Sequence, residues 1–302
     1  MTPRERPHPH LPPVPALAFI LVWCSGYIAG PAAVRAAAPF SVLGWRFLLA
    51  ALIAVPLALA LRRPTRMDRA ILTRVALVGL VMNALQFGLI YTAFELGLGA
   101  TLAALLHSLS PVLTALLAAG LLGERISWVQ VAGFTVGVAG VLVVLGPDLD
   151  HAGGLGAVLL GALSMLTLSL GTLGQRWIGG TPDLLWSAAV QFSVSAPPLL
   201  VVGWLVEGPW PVEDTGAAVT SVLFLAVVNS IAGLVLLALL VVRGGSGAAA
   251  SLFFLAPPVT AVMAYVVLDE ALGLRQVVGL LIAVVGVAAA TRVRRRPAPP
   301  VG

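Results

Sequence analysis

Long hydrophobic runs separated by short polar turns fill the chain from residue 14 to residue 291. Most of these runs approach the ~20 residues that an α-helix needs to cross a ~30 Å hydrocarbon layer. The pattern therefore predicts an all-α integral membrane protein with ten transmembrane helices. The predicted spans are 14–34, 41–61, 72–95, 99–121, 127–146, 153–177, 184–206, 216–241, 247–268 and 275–291.

The region from 105 to 141 recurs at a distance of 146 residues. Matches at proline, glutamate, glutamine and glycine in one register indicate an internal duplication rather than chance similarity between apolar segments. Each half holds five helices, an odd number, so the two copies must cross the membrane in opposite directions. We therefore predict two inverted five-helix repeats, 14–146 and 147–291. The matched pairs include Pro111 with Pro257, Thr114 with Thr260, Glu124 with Glu270, Gln130 with Gln276, Gly133 with Gly279 and Gly140 with Gly286.

Composition narrows the function. The chain is 60% hydrophobic and 10% charged, whereas a soluble domain carries roughly 25% charged residues. There is no GxxxxGK[ST] loop for a nucleotide, so we expect neither ATP-driven transport by this chain alone nor a cofactor. All 17 basic residues are arginines and none lies in a patch with interleaved aromatics, so nucleic acid is not an expected partner. No metal site is expected either, because His8 and His10 lie in a polar tail.

The distribution of charge predicts the orientation. Arginines collect in the turns that share a side with the N-terminus, and acidic residues collect in the turns of the other side. Because positive charge favours the cytoplasmic side, we expect a multi-pass protein of the cytoplasmic membrane with both termini inside. Residues 1–13 are predicted to form a disordered cytoplasmic tail, and residues 292–302 a basic one.

Several short segments are similar to the EamA-type repeat of the drug/metabolite transporter superfamily. The resemblance implies a ten-helix bundle with a central cavity lined by helices 1, 3, 4, 6, 8 and 9. It also implies a small-molecule substrate, since members resembling this chain export amino acids and other small metabolites, and some relatives import. The segments are Trp23-Cys24-Ser25-Gly26-Tyr27, Arg46-Phe47-Leu48-Leu49-Ala50, Ser108-Leu109-Ser110-Pro111-Val112-Leu113-Thr114, Gly123-Glu124-Arg125, Leu255-Ala256-Pro257-Pro258 and Asp269-Glu270.

Prolines within helices 4 and 9 are candidates for gating. Pro111, Pro257 and Pro258 cannot donate a backbone hydrogen bond, and their rings collide with the preceding turn. The kink recurs in both halves, so we expect it to serve alternating access, although a static kink that only packs is the alternative.

Two ionisable residues lie inside predicted spans. His107 is near the middle of helix 4, where it could bind substrate, carry a proton or form a neutral hydrogen bond between helices. Arg46 is near one end of helix 2, where it could meet a substrate carboxylate or extend towards the interface. We expect a structural role for Arg46.

Other candidate substrate contacts are polar or aromatic residues within the spans. Polar groups here can line a pathway or join helices, and aromatic rings can form walls for an apolar ligand. Three turn or helix features are expected to be structural: Glu124 and Glu270 would fix their turns, and small residues such as Gly133 would allow close helix approach, within a monomer or in a homodimer. The substrate-contact candidates are Trp23, Ser25, Tyr27, Asn83, Gln86, Tyr91, Ser110, Asn229 and Phe254.

These features predict a secondary transporter rather than an enzyme. It would move a small zwitterionic or aromatic metabolite outward by alternating access. Uptake, or efflux coupled to protons through His107, is the alternative within transport. A membrane-embedded enzyme or scaffold fits less well, because ionisable groups do not cluster at one depth and a scaffold would not need kinked helices in inverted halves.

Overall fold

The computed structural model describes residues 12–65, 67–147, 149, 152–180, 182–209, 212–271 and 273–292, with side chains except at 244–251 and 292. The predicted tails fall almost wholly outside these residues. The described part contains ten helical spans and no strand beyond an isolated bridge between Ala37 and Val212. The spans are α1 Pro13–Ala36, α2 Pro39–Ala60, α3 Arg69–Glu95, α4 Ala100–Leu122, α5 Trp128–Leu145, α6 Gly154–Ile178, α7 Leu184–Val206, α8 215–251, α9 Leu252–Leu268 and α10 Leu274–Arg292.

The predicted all-helical membrane fold is confirmed. Nine of the described helices are long and apolar enough to cross a bilayer, and α9 is a shorter apolar helix. The predicted turn at 242–246 differs from the structure, because the backbone there continues as helix to Ser251. Glycine costs only about 1 kcal/mol in a helix interior, so a glycine-rich stretch without proline does not have to end the helix.

The two halves repeat their local irregularities in the 146-residue register. Asp68 caps α3 by accepting a hydrogen bond from the Ile71 amide, and Asp214 caps α8 by accepting one from the Ala217 amide. A π-helical segment follows each cap, at Leu80–Leu85 in α3 and at Phe224–Ala232 in α8.

The register also holds at the ends of the proline helices. After α4, Gly123 has a left-handed backbone with φ 69°, and after α9 its counterpart Asp269 has φ 56°. Each conformation is rare for a residue with a side chain and is favoured by glycine. Helix direction is opposite in the two copies, so the fold contains inverted repeats.

Helices α5 and α10 pack against each other in antiparallel fashion through their glycines. A Cβ on Gly133 would lie 2.6 Å from the carbonyl oxygen of Gly286, and one on Gly140 would lie 2.6 Å from that of Gly279. Gly286 and Gly279 are the counterparts of Gly140 and Gly133. The approximate twofold rotation that relates the two repeats therefore exchanges these two contacts. The close approach that the sequence predicted therefore occurs within one chain.

Two carboxylates from the second half bind helix N-termini of the first half. Glu207, after α7, accepts hydrogen bonds from the Phe40 and Ser41 amides at 2.6 and 2.9 Å. Glu270, after α9, accepts bonds from the Ala100 and Thr101 amides at 2.6 and 3.2 Å. Both contacts lie on the face of the bundle opposite the start of α1, and each places negative charge at the positive end of a helix.

The two glutamates of the repeat have different partners. Glu270 joins α9 to α4, whereas Glu124 lies 3.5 Å from Arg176 on the other face. Each of these contacts joins the carboxylate to a helix of the other half.

We expect Gly140→Ala to destabilise the fold, because the new methyl group would be forced against the α10 backbone. Overpacking of this kind costs roughly 1–3 kcal/mol, which thermal unfolding of the purified protein in detergent would register as a lower midpoint. Gly120→Ala is the matched control, since a Cβ there meets nothing within 4 Å. Equal midpoints for the two variants would contradict the close packing of α5 on α10.

Candidate functional site

The helix α4 is broken where the sequence predicted a proline kink. Its first segment ends at Ser108 and its second begins at Ser110, just before Pro111. The Ser110 carbonyl accepts hydrogen bonds from the hydroxyls of Thr114 at 2.8 Å and Ser169 at 3.3 Å. On the other side of the break the Ser108 hydroxyl donates to the Leu105 carbonyl at 2.6 Å, so hydroxyls of α4 and α6 bond backbone carbonyls on both sides of it.

The matching break in α9 lies between a short 3₁₀ segment, Leu252–Leu255, and the helix that starts at Ala256. Pro257 is buried here, whereas its counterpart Pro111 is exposed on the bundle. Phe254 lies in the 3₁₀ turn and lines a shallow depression together with Ser108 and Pro257. The kink is thus common to both halves, but its surroundings are not.

His107 lies at the centre of a buried network that joins four helices. Its Nε2 is 2.9 Å from the Ser164 hydroxyl of α6, and its Nδ1 is 3.0 Å from the Tyr27 hydroxyl of α1. Gln86 of α3 donates its side-chain amide to Ser164 at 3.0 Å, and Ser164 donates to the Gln86 backbone carbonyl at 3.1 Å. We call these four residues the histidine network.

One assignment of protons is consistent with the bonds of the imidazole and of both hydroxyls in the histidine network. Because Ser164 donates its only proton to the Gln86 carbonyl, it must accept from His107 Nε2–H. His107 Nδ1 is then an acceptor, and Tyr27 O–H donates to it. In this assignment the imidazole is neutral and both of its nitrogens are hydrogen-bonded between helices, an arrangement that matches one of the alternatives that the sequence left open.

Arg46 lies at the centre of a second network, on the other side of α3. Its guanidinium donates to the Ser230 hydroxyl at 3.2 Å, the Tyr91 hydroxyl at 3.2 Å and the Asn229 side-chain carbonyl at 3.1 Å. Only 3% of Arg46 is exposed, so the side chain does not extend towards the interface as the sequence had suggested. We call these four residues the arginine network.

Aromatic rings complete the surroundings of Arg46. Its Cζ atom lies 4.5 Å from the centroid of the Phe87 ring and 5.1 Å from that of Phe47. A guanidinium at this distance is attracted by the ring quadrupole. Asn229 also donates its amide to the Val22 carbonyl of α1 at 2.8 Å, one turn before Tyr27, so α1 links the two networks.

Five of the predicted substrate contacts lie outside both networks, and one of them is Phe254, described above at the α9 break. Trp23 packs edge-on against Phe253 at 4.8 Å between ring centroids. Ser25 donates to the Val22 carbonyl within its own helix at 2.7 Å, and Asn83 is half-buried in the π segment of α3. Ser110 belongs to the α4 break described above.

The EamA-like transporter family matches residues 14–146 and again residues 155–292, which together are most of the chain. The chain belongs to the EamA-like transporter family. Its members are transporters rather than enzymes, so the protein is a multi-pass membrane transporter.

Relatives across this family share between a quarter and a third of their residues with the chain. Uncharacterized transporter YvbV of Bacillus subtilis is 28% identical over 90% of this chain and 88% of its own length. A probable amino-acid metabolite efflux pump of Salmonella typhimurium is 27% identical over 90% and 91%. A probable terminal-alkyne amino-acid exporter of Streptantibioticus cattleyicolor is 32% identical over 70% and 69%.

A solved crystal structure shares the fold. It superposes with a TM-score of 0.64, covers 94% of this chain and 98% of its own, and is 21% identical in sequence. At that level of sequence identity, the likeness supports only the architecture of this EamA-like protein.

Three members of the networks were not among the predicted substrate contacts: Arg46, Ser164 and Ser230. The resemblance to EamA transporters implied a cavity lined by helices 1, 3, 4, 6, 8 and 9, so it did not point to α2. A stronger signal was available, because Arg46 is the arginine that lies well within a predicted span, where charge is costly and marks function. Ser164 and Ser230 carry no such signal.

We expect His107→Leu to destabilise the protein by about 1–3 kcal/mol, because the hydroxyls of Tyr27 and Ser164 lose a buried partner. Thermal unfolding in detergent would show a lower midpoint. His107→Gln is the matched control, since its amide can still donate to Ser164 and should recover part of the loss. A wild-type midpoint for His107→Leu would show that the histidine network does not stabilise the bundle.

Proposed function

We propose that this protein exports a small metabolite of the amino-acid type across the cytoplasmic membrane by alternating access, with both termini in the cytoplasm. The observation that carries the proposal is the pair of buried polar networks in a bundle whose interior is mainly apolar. Polar groups inside a membrane protein are expensive and usually lie on a substrate pathway. These networks draw on α1, α2, α3, α4, α6 and α8, and the arginine network joins helices from both halves.

The chemistry of the networks favours a substrate with polar groups at one end. The histidine network offers neutral hydroxyls and amides, and the arginine network offers a cation. Within the described spans no Asp or Glu lies in the middle of a helix, which speaks against strongly cationic substrates. The names of two relatives, an amino-acid metabolite efflux pump and an amino-acid exporter, agree with an amino-acid substrate and outward transport.

The inverted repeats favour alternating access. A fold made of two oppositely oriented halves can place its site between them and open it to either side. The breaks before Pro111 and Pro257 leave each proline helix as two segments, and such a joint can change angle at little cost. The contacts of Glu207 and Glu270 tie the halves together on one face, which in the predicted orientation is the outer one.

Transport and its direction can be tested with membrane vesicles from cells that express the protein. We expect saturable uptake of at least one labelled amino-acid class into everted vesicles, because uptake there corresponds to export. Vesicles from cells without the protein are the control, and an imposed pH gradient tests proton coupling. Uptake confined to right-side-out vesicles would reverse the direction, and silence across an amino-acid panel would reject the substrate class.

The proline joints can be tested with the same substrate. Pro111→Ala and Pro257→Ala restore a backbone donor and should stiffen each helix, so we expect turnover to fall about tenfold, equivalent to ~1.4 kcal/mol in the barrier. The folded yield should be retained. Pro56→Ala in α2 is the matched control, since Pro56 is an exposed helix proline without a counterpart in the repeat. Wild-type turnover in both kink variants would end the gating role.

A further inference from the structure

Arg46 is a buried positive charge whose described partners are all neutral. Its three hydrogen bonds go to two hydroxyls and an amide carbonyl. The ion pairs of the described part join Arg63 to Asp183 and Arg176 to Glu124, and neither includes Arg46. Buried charges in proteins are almost always paired, because leaving water costs an unpaired ion several kcal/mol.

The guanidinium also has hydrogen-bonding capacity left over. Of its five N–H donors, one on each nitrogen is used: Nε by Ser230, Nη1 by Tyr91 and Nη2 by Asn229. The second N–H of Nη1 and that of Nη2 have no partner among the described residues. Two donors on the terminal nitrogens of one planar group match the two oxygens of a carboxylate.

The nearby acids of the protein are occupied elsewhere. Glu207 is bound to the start of α2, and Glu270 to the start of α4. Glu95 lies one turn beyond Tyr91, but it is exposed at the end of α3 and is not within ion-pair distance of Arg46. The protein's described residues therefore supply no counter-charge, which leaves that role to a ligand.

We propose that Arg46 binds the carboxylate of the transported substrate. The inference rests on the proposed function and names the group by which that substrate is held. The neutral hydroxyls and the amide of the arginine network fix the orientation of the guanidinium, and the adjacent rings of Phe47 and Phe87 pack against it. Arg46 is then a substrate-binding residue rather than a joint between helices.

The cover over Arg46 comes from a part of α8 that departs from regular helix. Asn229 and Ser230 lie in the π segment Phe224–Ala232, and the Ser230 hydroxyl donates to the Leu225 carbonyl five residues earlier at 3.0 Å. Such π segments are locally strained and occur often at functional sites. In this proposal a shift of the π segment would loosen its contacts with Arg46 and admit the carboxylate.

The rival explanation is that Arg46 only clamps α2, α3 and α8 together. A clamp would stabilise the protein whether or not an anion is present, and it would not distinguish a carboxylate from a neutral amide of the same shape. A carboxylate-binding site would distinguish the carboxylate from the amide. The decisive measurement is therefore ligand selectivity in the wild-type protein.

Thermal unfolding of the purified protein in detergent, followed by tryptophan fluorescence, provides that measurement. The probes are two matched pairs: propionate with propionamide, and 3-phenylpropionate with 3-phenylpropanamide. We expect at least one carboxylate to raise the unfolding midpoint in a saturable way, while the amide of the same pair does not. Midpoint shifts that are the same for acid and amide, or absent for all four probes, would overturn the proposal without any variant.

Variants then assign the selectivity to Arg46. Arg46→Gln should abolish the shift by carboxylate, and Arg46→Lys, which keeps the charge but not the planar fork, should weaken apparent affinity about 10- to 100-fold. Arg63→Gln is the matched control, because it removes an exposed loop arginine and lowers the net charge equally; it should bind like wild type. Undiminished carboxylate binding by a folded Arg46→Gln protein would overturn the assignment.

Failure of this inference differs from failure of the proposed function. Amino-acid transport by a protein that shows no preference for acid over amide would leave the transport function standing and remove the role of Arg46. Carboxylate binding that depends on Arg46, in a protein that moves no amino acid in either vesicle orientation, would keep the anchor and redirect the search to other carboxylates.

Discussion

In hydrocarbon, every backbone and side-chain polar group must find its partner inside the protein, and this constraint explains where the polar residues lie. Departures from regular helix leave carbonyls without their usual donor, and in three of them a serine hydroxyl bonds a nearby carbonyl. Ser169 reaches the Ser110 carbonyl at the α4 break. Ser195 of α7 donates to the Gly79 carbonyl at 3.1 Å, at the start of the first π segment, and Ser230 serves Leu225 in the second.

The duplication reproduces these backbone irregularities more faithfully than the side chains around them. Asn83 and Asn229 occupy the same position in the two π segments, yet Asn229 contacts Arg46 while Asn83 lies outside both networks. His107 corresponds to Phe253, which packs against Trp23. The two repeats thus share the same helix breaks and π segments, whereas the side chains at matching positions differ and make the interior asymmetric. Asymmetry of this kind suits a carrier that must distinguish the two ends of its substrate.

The sequence predicts the helices, the repeat and the proline breaks because each depends on a strong local signal: length of an apolar run, register of a motif, or a missing backbone donor. It predicts the networks less well. Many of these helices are apolar on all sides, so their sequence does not show which face turns inward. The direction of Arg46 depends on Asn229 and Ser230, which are more than 180 residues away, and no spacing rule relates them. Ser164 is one of several hydroxyl residues on α6, and its sequence context does not set it apart. Only the fold shows that it lies beside His107.

The two networks differ in their charge and in how their hydrogen-bond donors are used. In the histidine network the imidazole and both hydroxyls are hydrogen-bonded and the charge is zero, so adding a ligand there would require breaking bonds already made. In the arginine network a charge and two donors remain without partners among the described residues. A neutral network of this kind stabilises the packing of the helices, because a change to it would cost a hydrogen bond. A buried charge with unused donors costs free energy as long as no anion is bound, and a bound anion lowers that cost. A transporter that binds its substrate in the interior needs such a difference in free energy, and this is why the proposal places the substrate carboxylate at Arg46 rather than at His107.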